Sequence, residues 1–400
     1  MPSNIRINNR VVSTLQVGDV SSERAYYGSS EVFDDFNPAS LFANGERGTW
    51  AKLKDADTLF QDEARNTPAT DEGDPLGRVL DKSPNGFDLT QSDAAKRPEY
   101  LLDPPRLKLD GIDDNMNINF GAAFTGEVLQ ATPVGILHMA IKTDDGNFDL
   151  AGGTPQFTTA DGEITGIICR EGMFSEDELK DAKKYLENHG AGANFEGVTS
   201  MRRWFRSNTY ITKLYTDGWN TSSLVDISEI FIFCESIEEF DVSHWDTSSL
   251  QLAGGFGAFR RCENLKVLDV SNWDTSALSS AREFIRDSGV EKLDLSNWIT
   301  PNLTNMRQFA QGASSLQEVI MTGGTGNPFA DSPCTNYTNA FSNTDLTQQS
   351  IDDILVAIES AGTSGGTFDQ SGGSAPSATG EAAVTALRGR GWTVTVTGGF

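Results

Sequence analysis

Asp241-Val242-Ser243-His244-Trp245, Asp269-Val270-Ser271-Asn272-Trp273 and Asp294-Leu295-Ser296-Asn297-Trp298 are three versions of one phrase. Together with Trp219 they set tryptophans 26, 28 and 25 residues apart. An apolar pair three residues apart precedes each tryptophan: Ile211 and Leu214, Ile237 and Phe240, Leu265 and Leu268, Val290 and Leu293. A fifth copy keeps Leu316 and Val319 without a tryptophan, and an aromatic or Met anchor such as Phe231, Phe259, Phe284 or Met306 follows each phrase. A period of 20 to 50 residues marks repeat architectures, because one unit cannot bury its apolar side alone and stacked units can. The pattern predicts a leucine-rich-repeat-like solenoid over residues 196–325, with one short strand and one helical turn per unit. The tryptophans then fill its core, each with an indole N–H to satisfy. Cys234 and Cys262 occupy the slot that Ala313 fills in the last copy, so they read as small apolar wall residues.

Beyond the repeats, Ile351, Ile354, Leu355 and Ile358 share a helix face, a second helix is expected near 378–388, and Thr393 to Val396 alternate as a strand. This stretch, 326–400, is expected to be an α/β cap over the last apolar face. On the other side, Ser175 and Glu178 form a capping box, Phe174 and Leu179 a hydrophobic staple, and Gly190 a helix stop. That helix closes a β-rich domain over 40–195, with strands read at Leu107–Leu109, Met116–Phe120, Gly135–Ile141 and Ile164–Cys169. Residues 1–39 are too few for a core and read as an arm for attachment. The fold class is therefore multidomain α+β: a β-rich N-terminal region, a repeat solenoid and a C-terminal α/β cap.

Alternation along the repeat strands turns Leu268 and Val270 inward and Asp269 outward. One outward column reads Tyr215, Asp241, Asp269, Asp294, Ile320; a second reads Lys213, Glu239, Val267, Lys292, Glu318. Stacked carboxylates ~4.8 Å apart repel unless something offsets them. Either each Asp caps its own turn, or the column is an acidic ladder for a polyhydroxylated or cationic partner. Tyr215, Asp241, Asp269, Asp294 and Lys292 are the candidate partner-binding face.

The chain of 400 residues carries 57 acidic and 31 basic side chains, a net charge of −26. That disfavours nucleic acid, which needs clustered Lys and Arg, and anionic membrane surfaces. No apolar run approaches the ~20 residues of a membrane span, and the first residues lack a secretory signal. Four cysteines and three histidines stand singly, without metal-ligand spacing. The acidic clusters Asp110, Asp113, Asp114 and Asp144, Asp145, Asp149 do not match a Ca²⁺ loop. No nucleophile motif is present. The expectation is a non-enzyme without cofactor or metal.

The Asp-Val-Ser-Asn-Trp phrase followed by Thr-Ser resembles BspA-like leucine-rich repeats of bacterial surface proteins and phage particles. Val17-Gly18-Asp19-Val20, Leu41 to Trp50, and Leu80-Asp81-Lys82-Ser83-Pro84-Asn85-Gly86 resemble the openings of tailed-phage virion proteins. Leu107 to Asp114 resembles the first strand of concanavalin-like lectin modules, and no binding residue is carried over from it. The resemblance implies a virion structural protein made in the host cytoplasm. It would be a tail-associated appendage bound to other virion proteins through its N-terminal region and contacting a host receptor or glycan. A homotrimer is expected by analogy. A capsid or neck decoration without a receptor role, and a bacterial surface adhesin, are the alternatives.

Overall fold

A computed structural model describes residues 36–103, 105–109, 116–149, 162–188, 191–192 and 194–399, plus short strand segments before residue 36. Much of the expected arm, the Asp110–Asp114 cluster and part of the 190–194 boundary lie outside these residues.

The largest sheet has six strands: β1 (Gly48–Lys52), β2 (Phe124–Thr132), β3 (Gly135–Thr143), β4 (Gly166–Glu171), β5 (Ile211–Tyr215) and β6 (Glu239–Phe240), in the order β6-β5-β3-β2-β4-β1. β2 and β3 form a long hairpin in which Leu129 faces His138 and Thr132 faces Gly135. Among the smaller sheets of this half, one of five strands joins Leu59–Phe60, Arg78–Val79, Leu89–Thr90, Asn117–Asn119 and Asn147–Asp149. Helix α1 (Glu176–Asn188) begins at the expected capping box: the Ser175 N–H donates to Glu178 Oε2 (2.8 Å) and the Glu178 N–H to Ser175 Oγ (3.3 Å). Its buried Ala182 and Leu186 pack with Leu129 and Ile168 of the sheet.

The repeats stack, but not in the form expected. Parallel bridges tie Ser200 to Asp226, Leu252, Ser280 and Asn305 in succession. On the opposite side the strands are two or three residues long: β7 (Lys292–Asp294) pairs with β8 (Glu318–Ile320), and Val267 bridges to Lys292. Trp219, Trp245, Trp273 and Trp298 are all buried, and the indoles of Trp273 and Trp298 donate to Val242 O (3.1 Å) and Val270 O (3.2 Å) of the preceding unit. The C-terminal stretch forms β9 (Asn336–Phe341), α2 (Gln348–Ser360), β10 (Thr367–Gln370), α3 (Ala378–Gly389) and β11 (Thr393–Thr395), with β9-β10-β11 parallel.

The predicted fold class is corrected on these findings. The described residues form a β-rich chain of several small sheets with three α-helices, not a closed leucine-rich-repeat solenoid under an α/β cap. The supposed helical turns are tight turns in which two residues per unit hold positive φ: Arg203 and Ser207, Glu229 and Phe233, Glu283 and Asp287. A left-handed residue every fourth position is incompatible with a helix. In the third unit Gly257 takes that place at φ 88°, and a Cβ there would sit 2.0 Å from Glu283 O. The strand side is not continuous either, because β6 and the segment around Val267 do not pair with each other and β5 belongs to the N-terminal sheet through its pairing with β3. That sheet therefore runs across the expected boundary at 195. Nor does the C-terminal stretch merely cover the repeats. The N–H groups of Met306, Gln308, Ala310 and Gly312 donate to the carbonyls of Asn336, Thr338, Ala340 and Ser342, so β9 continues the stack.

Candidate functional site

Where β6 and the Val267 segment fail to pair, the strand side opens into a groove of about 640 Å³. Lys213, Tyr215, Glu239, Asp241, Lys266, Val267 and Asp269 are among its lining. Three of the five candidate residues thus meet in one place: Tyr215, Asp241 and Asp269. Lys292 lies outside it, paired with Glu318 at 2.8 Å, and Asp294 is half-buried in β7.

The aspartate column resolves into turn caps. Asp241 Oδ1 accepts from the Ser243 N–H (2.9 Å) and hydroxyl (2.7 Å), Asp269 Oδ1 from those of Ser271 (3.0 and 2.7 Å), and Asp294 Oδ1 from the Ser296 N–H (2.9 Å). The Ser243 hydroxyl and N–H hold the Asp241 carboxyl below its ordinary value, with His244 adding a smaller attraction. Each side chain replaces a backbone partner in its own tight turn. The caps use only Oδ1 of Asp241 and Asp269, and both residues line the groove, so capping and recognition are compatible here. Val267 at its edge is 72% exposed and adds apolar surface beside the carboxylates. Lys213 pairs with Glu239 and also lies 5.1 Å from the centre of the Tyr215 ring.

Beneath Tyr215 lies a buried polar set that sequence reasoning missed. The Tyr215 ring stacks on His138, centroids 4.0 Å apart and 13° from parallel. His138 Nε2 faces Glu127 Oε1 at 3.3 Å, and both side chains are buried. The other Glu127 oxygen accepts the Phe174 N–H at 2.7 Å, which ties the start of α1 to the sheet. Burial pushes the Glu127 carboxyl up, but His138 and the Phe174 N–H outweigh it and leave it below its ordinary value. Burial, then the Glu127 charge and hydrogen bond, push the Tyr215 hydroxyl up to about 12. Tyr215 therefore presents ring rather than a free hydroxyl. The signal available in the sequence was a Glu beside Val128 and Leu129 and a His between Leu137 and Met139, apolar neighbours among which unpaired charge is costly.

Also missed was the role of the Thr two residues after each Trp. Thr221 Oγ1 accepts the Asp246 N–H (2.8 Å), and the Thr247 and Thr275 hydroxyls donate to Asp274 O (3.1 Å) and Ile299 O (2.9 Å) of the next unit. Cys234 and Cys262 sit in the wall as read; their thiols donate to Phe205 O and Phe231 O, and burial pushes both thiols up. Asp145, from the second acidic cluster, caps its own turn through Asn147. Among the described residues no three His, Cys, Asp or Glu side chains gather as metal ligands, and no helix is long and apolar enough to cross a membrane.

A family model described as "Mycoplasma protein of unknown function, DUF285" matches residues 172–256 and 257–354. The match covers α1, the repeats and β9, and its two segments meet inside the third unit, beside Gly255-Phe256-Gly257. No curated protein and no solved structure matches the chain significantly.

Proposed function

We propose that this chain is a non-enzymatic virion structural protein, a tail-associated appendage that attaches through its N-terminal region and meets a host-surface partner through the strand-side groove. The groove itself carries the reading. An exposed Val267, the face of Tyr215 and the carboxylates of Asp241 and Asp269 converge at the one break in the repeat strands. Apolar and ring surface beside fixed acceptors suits a polyhydroxylated partner, whose hydroxyls donate and whose carbon faces stack. The acidic phrase resembling BspA-like repeats supports the same reading. Several copies on one particle would add weak contacts together.

One observation favours a second reading, a bacterial surface adhesin: the matching family model is described from Mycoplasma. A single experiment separates the two. Antibody against the purified chain is used to label phage particles and bacterial cells of the source strain by immunogold microscopy. Labelled particles are the expected result; labelled cells with bare particles favour the adhesin. On labelled particles, Val267→Arg should reduce adsorption to host cells at an unchanged melting temperature. Normal adsorption would leave a decoration protein without a receptor role.

A further inference from the structure

The edge of the repeats opposite the groove, where the tight turns stack, is as unusual in charge as the groove is in shape. Glu229 is buried with its side chain 2% exposed, and three arginines of the first unit surround it: Arg202 Nη2 at 2.9 Å, Arg203 Nε at 2.9 Å and Arg206 Nη1 at 3.6 Å. Two units on, Glu283 is 1% exposed and held by Arg260 (2.9 Å), Arg282 (2.7 Å) and Arg286 (3.3 Å). One carboxylate needs one guanidinium for neutrality; here each has three. Arg286 also pairs with Asp287 (3.2 Å) and the neighbouring Arg261 with Glu235 and Glu263 (3.7 and 3.6 Å), so the surplus is greatest around Glu229, where Arg202, Arg203 and Arg206 are between 39% and 48% exposed. Aromatic rings lie among them. Phe256 is 48% exposed with the Arg282 guanidinium 5.3 Å from its ring centre, and Phe233 carries Arg261 at 5.3 Å.

We propose that this turn edge binds a linear acidic polysaccharide. The guanidinium fork matches a carboxylate in two parallel hydrogen bonds, and Arg203 already shows the geometry on Glu229 (2.9 and 3.2 Å). The buried glutamates act as anchors that order the arginines before a ligand arrives, which lowers the entropy of binding them. The exposed Phe256 ring beside the forks offers sugar faces a stacking surface that a simple anion does not need. The two clusters sit two units apart, ~10 Å at the ~4.8 Å spacing of neighbouring strands, so an extended polymer can meet both. Elsewhere the chain is acidic, at −26 overall, and repels a polyanion; attachment is therefore local to this edge and sensitive to salt. The site is separate from the groove and does not depend on the function proposed for it.

Binding of polygalacturonate to the full-length chain, measured by calorimetry at low and moderate salt, tests this. The expected result is saturable binding that weakens as salt rises. Arg202→Gln with Arg206→Gln should reduce it about tenfold, a loss of ~1.4 kcal/mol, while Arg203 still holds Glu229. Phe256→Ala, at an exposed position that folding tolerates, should weaken polygalacturonate and leave polyphosphate unaffected. No binding at low salt, or equal binding of neutral dextran, overturns the proposal. So does polyphosphate bound as tightly as polygalacturonate with no effect of Phe256→Ala, which would mark the edge as a general anion site.

Discussion

The two edges of the repeat stack are built from the same units and behave differently. Along the turn edge the hydrogen bonding is unbroken: Phe205 donates to Ile230, Phe231 to Ala258, Phe259 to Phe284, Ile285 to Phe309 and Ala310 to Ala340. Along the strand edge, pairing runs from β5 to β6, stops, and resumes from Val267 to β7 and β8. The break coincides with the longest unit, in which Gly254-Gly255 lengthens the turn and the period from Glu229 to Gly257 is 28 residues rather than the 26 from Arg203 to Glu229. Stacking is thus fixed by turns and by the aromatic core between the edges, while the strand edge is free to part and form a groove. The lesson is that a sheet is not what holds these repeats in register.

The core should show the largest effect. Trp273 is 2% exposed, packs edge-on to Phe284 and donates its indole N–H across the unit boundary. Trp273→Ala should cost about 3–5 kcal/mol, as truncating a buried aromatic does. Denaturant unfolding measures it, and a loss below ~1 kcal/mol would mean the strand pairing, not the core, sets stability.

Next comes the turn edge. Glu283→Ala leaves three guanidiniums around an empty site, and breaking a buried ion cluster by removing one partner is expensive. Arg260, Arg282 and Arg286 keep 20–28% of their surface, so water offsets part of it and about 2–3 kcal/mol is expected. Glu229→Ala should cost less, because its arginines are already 39–48% exposed. If the two variants are equal, the clusters contribute by shape rather than charge.

How far these regions could be read in advance follows from their chemistry. The tryptophan column, the capping box of α1 and the helices α2 and α3 lie where apolar spacing puts them, since burial and caps leave a periodic mark. The turns do not. Arg203, Glu229 and Glu283 at positive φ leave no residue-type signature, because Arg and Glu are ordinary helix formers and glycine stands there only in the third unit. Their spacing from the aromatic anchors therefore imitates a helical stripe. The break beside Val267 left only a trace, the 28-residue unit, and the pairing of Glu127 with His138 could not be read for a different reason: it depends on the register of the β2–β3 hairpin and on the docking of β5 and α1 against it.

That pair gives a pH test of the groove floor. The Glu127 carboxyl lies below its ordinary 4.5 in the folded chain, so it binds protons less readily there than when unfolded. Its stabilising contribution is complete above 4.5 and is lost as pH falls through the folded value. Glu127→Gln should therefore lower the melting temperature at pH 7 and flatten its decline between pH 5 and 3. A variant with the same acid slope as the parent would show that other carboxylates govern acid unfolding.

The smallest effect is expected on the groove wall, and it decides what the aspartate column is for. Asp269 uses Oδ1 to accept from the Ser271 N–H and hydroxyl, and Asn offers an acceptor oxygen of the same reach. Asp269→Asn keeps the cap, so stability should change by no more than ~0.5 kcal/mol, the range of ordinary surface substitutions. Asp269→Ala removes the acceptor and should cost about 1 kcal/mol, one net hydrogen bond to a charged or polar partner. At this position Asn removes the charge and puts an NH2 donor where Asp has its second acceptor oxygen. A folded Asp241→Asn, Asp269→Asn chain with altered adsorption would therefore assign the carboxylates, by charge or by their second acceptor oxygen, to recognition. Unchanged adsorption beside the ~1 kcal/mol loss in Asp269→Ala would assign both residues to the turns alone, leaving Val267 and the Tyr215 ring as the binding surface of the groove.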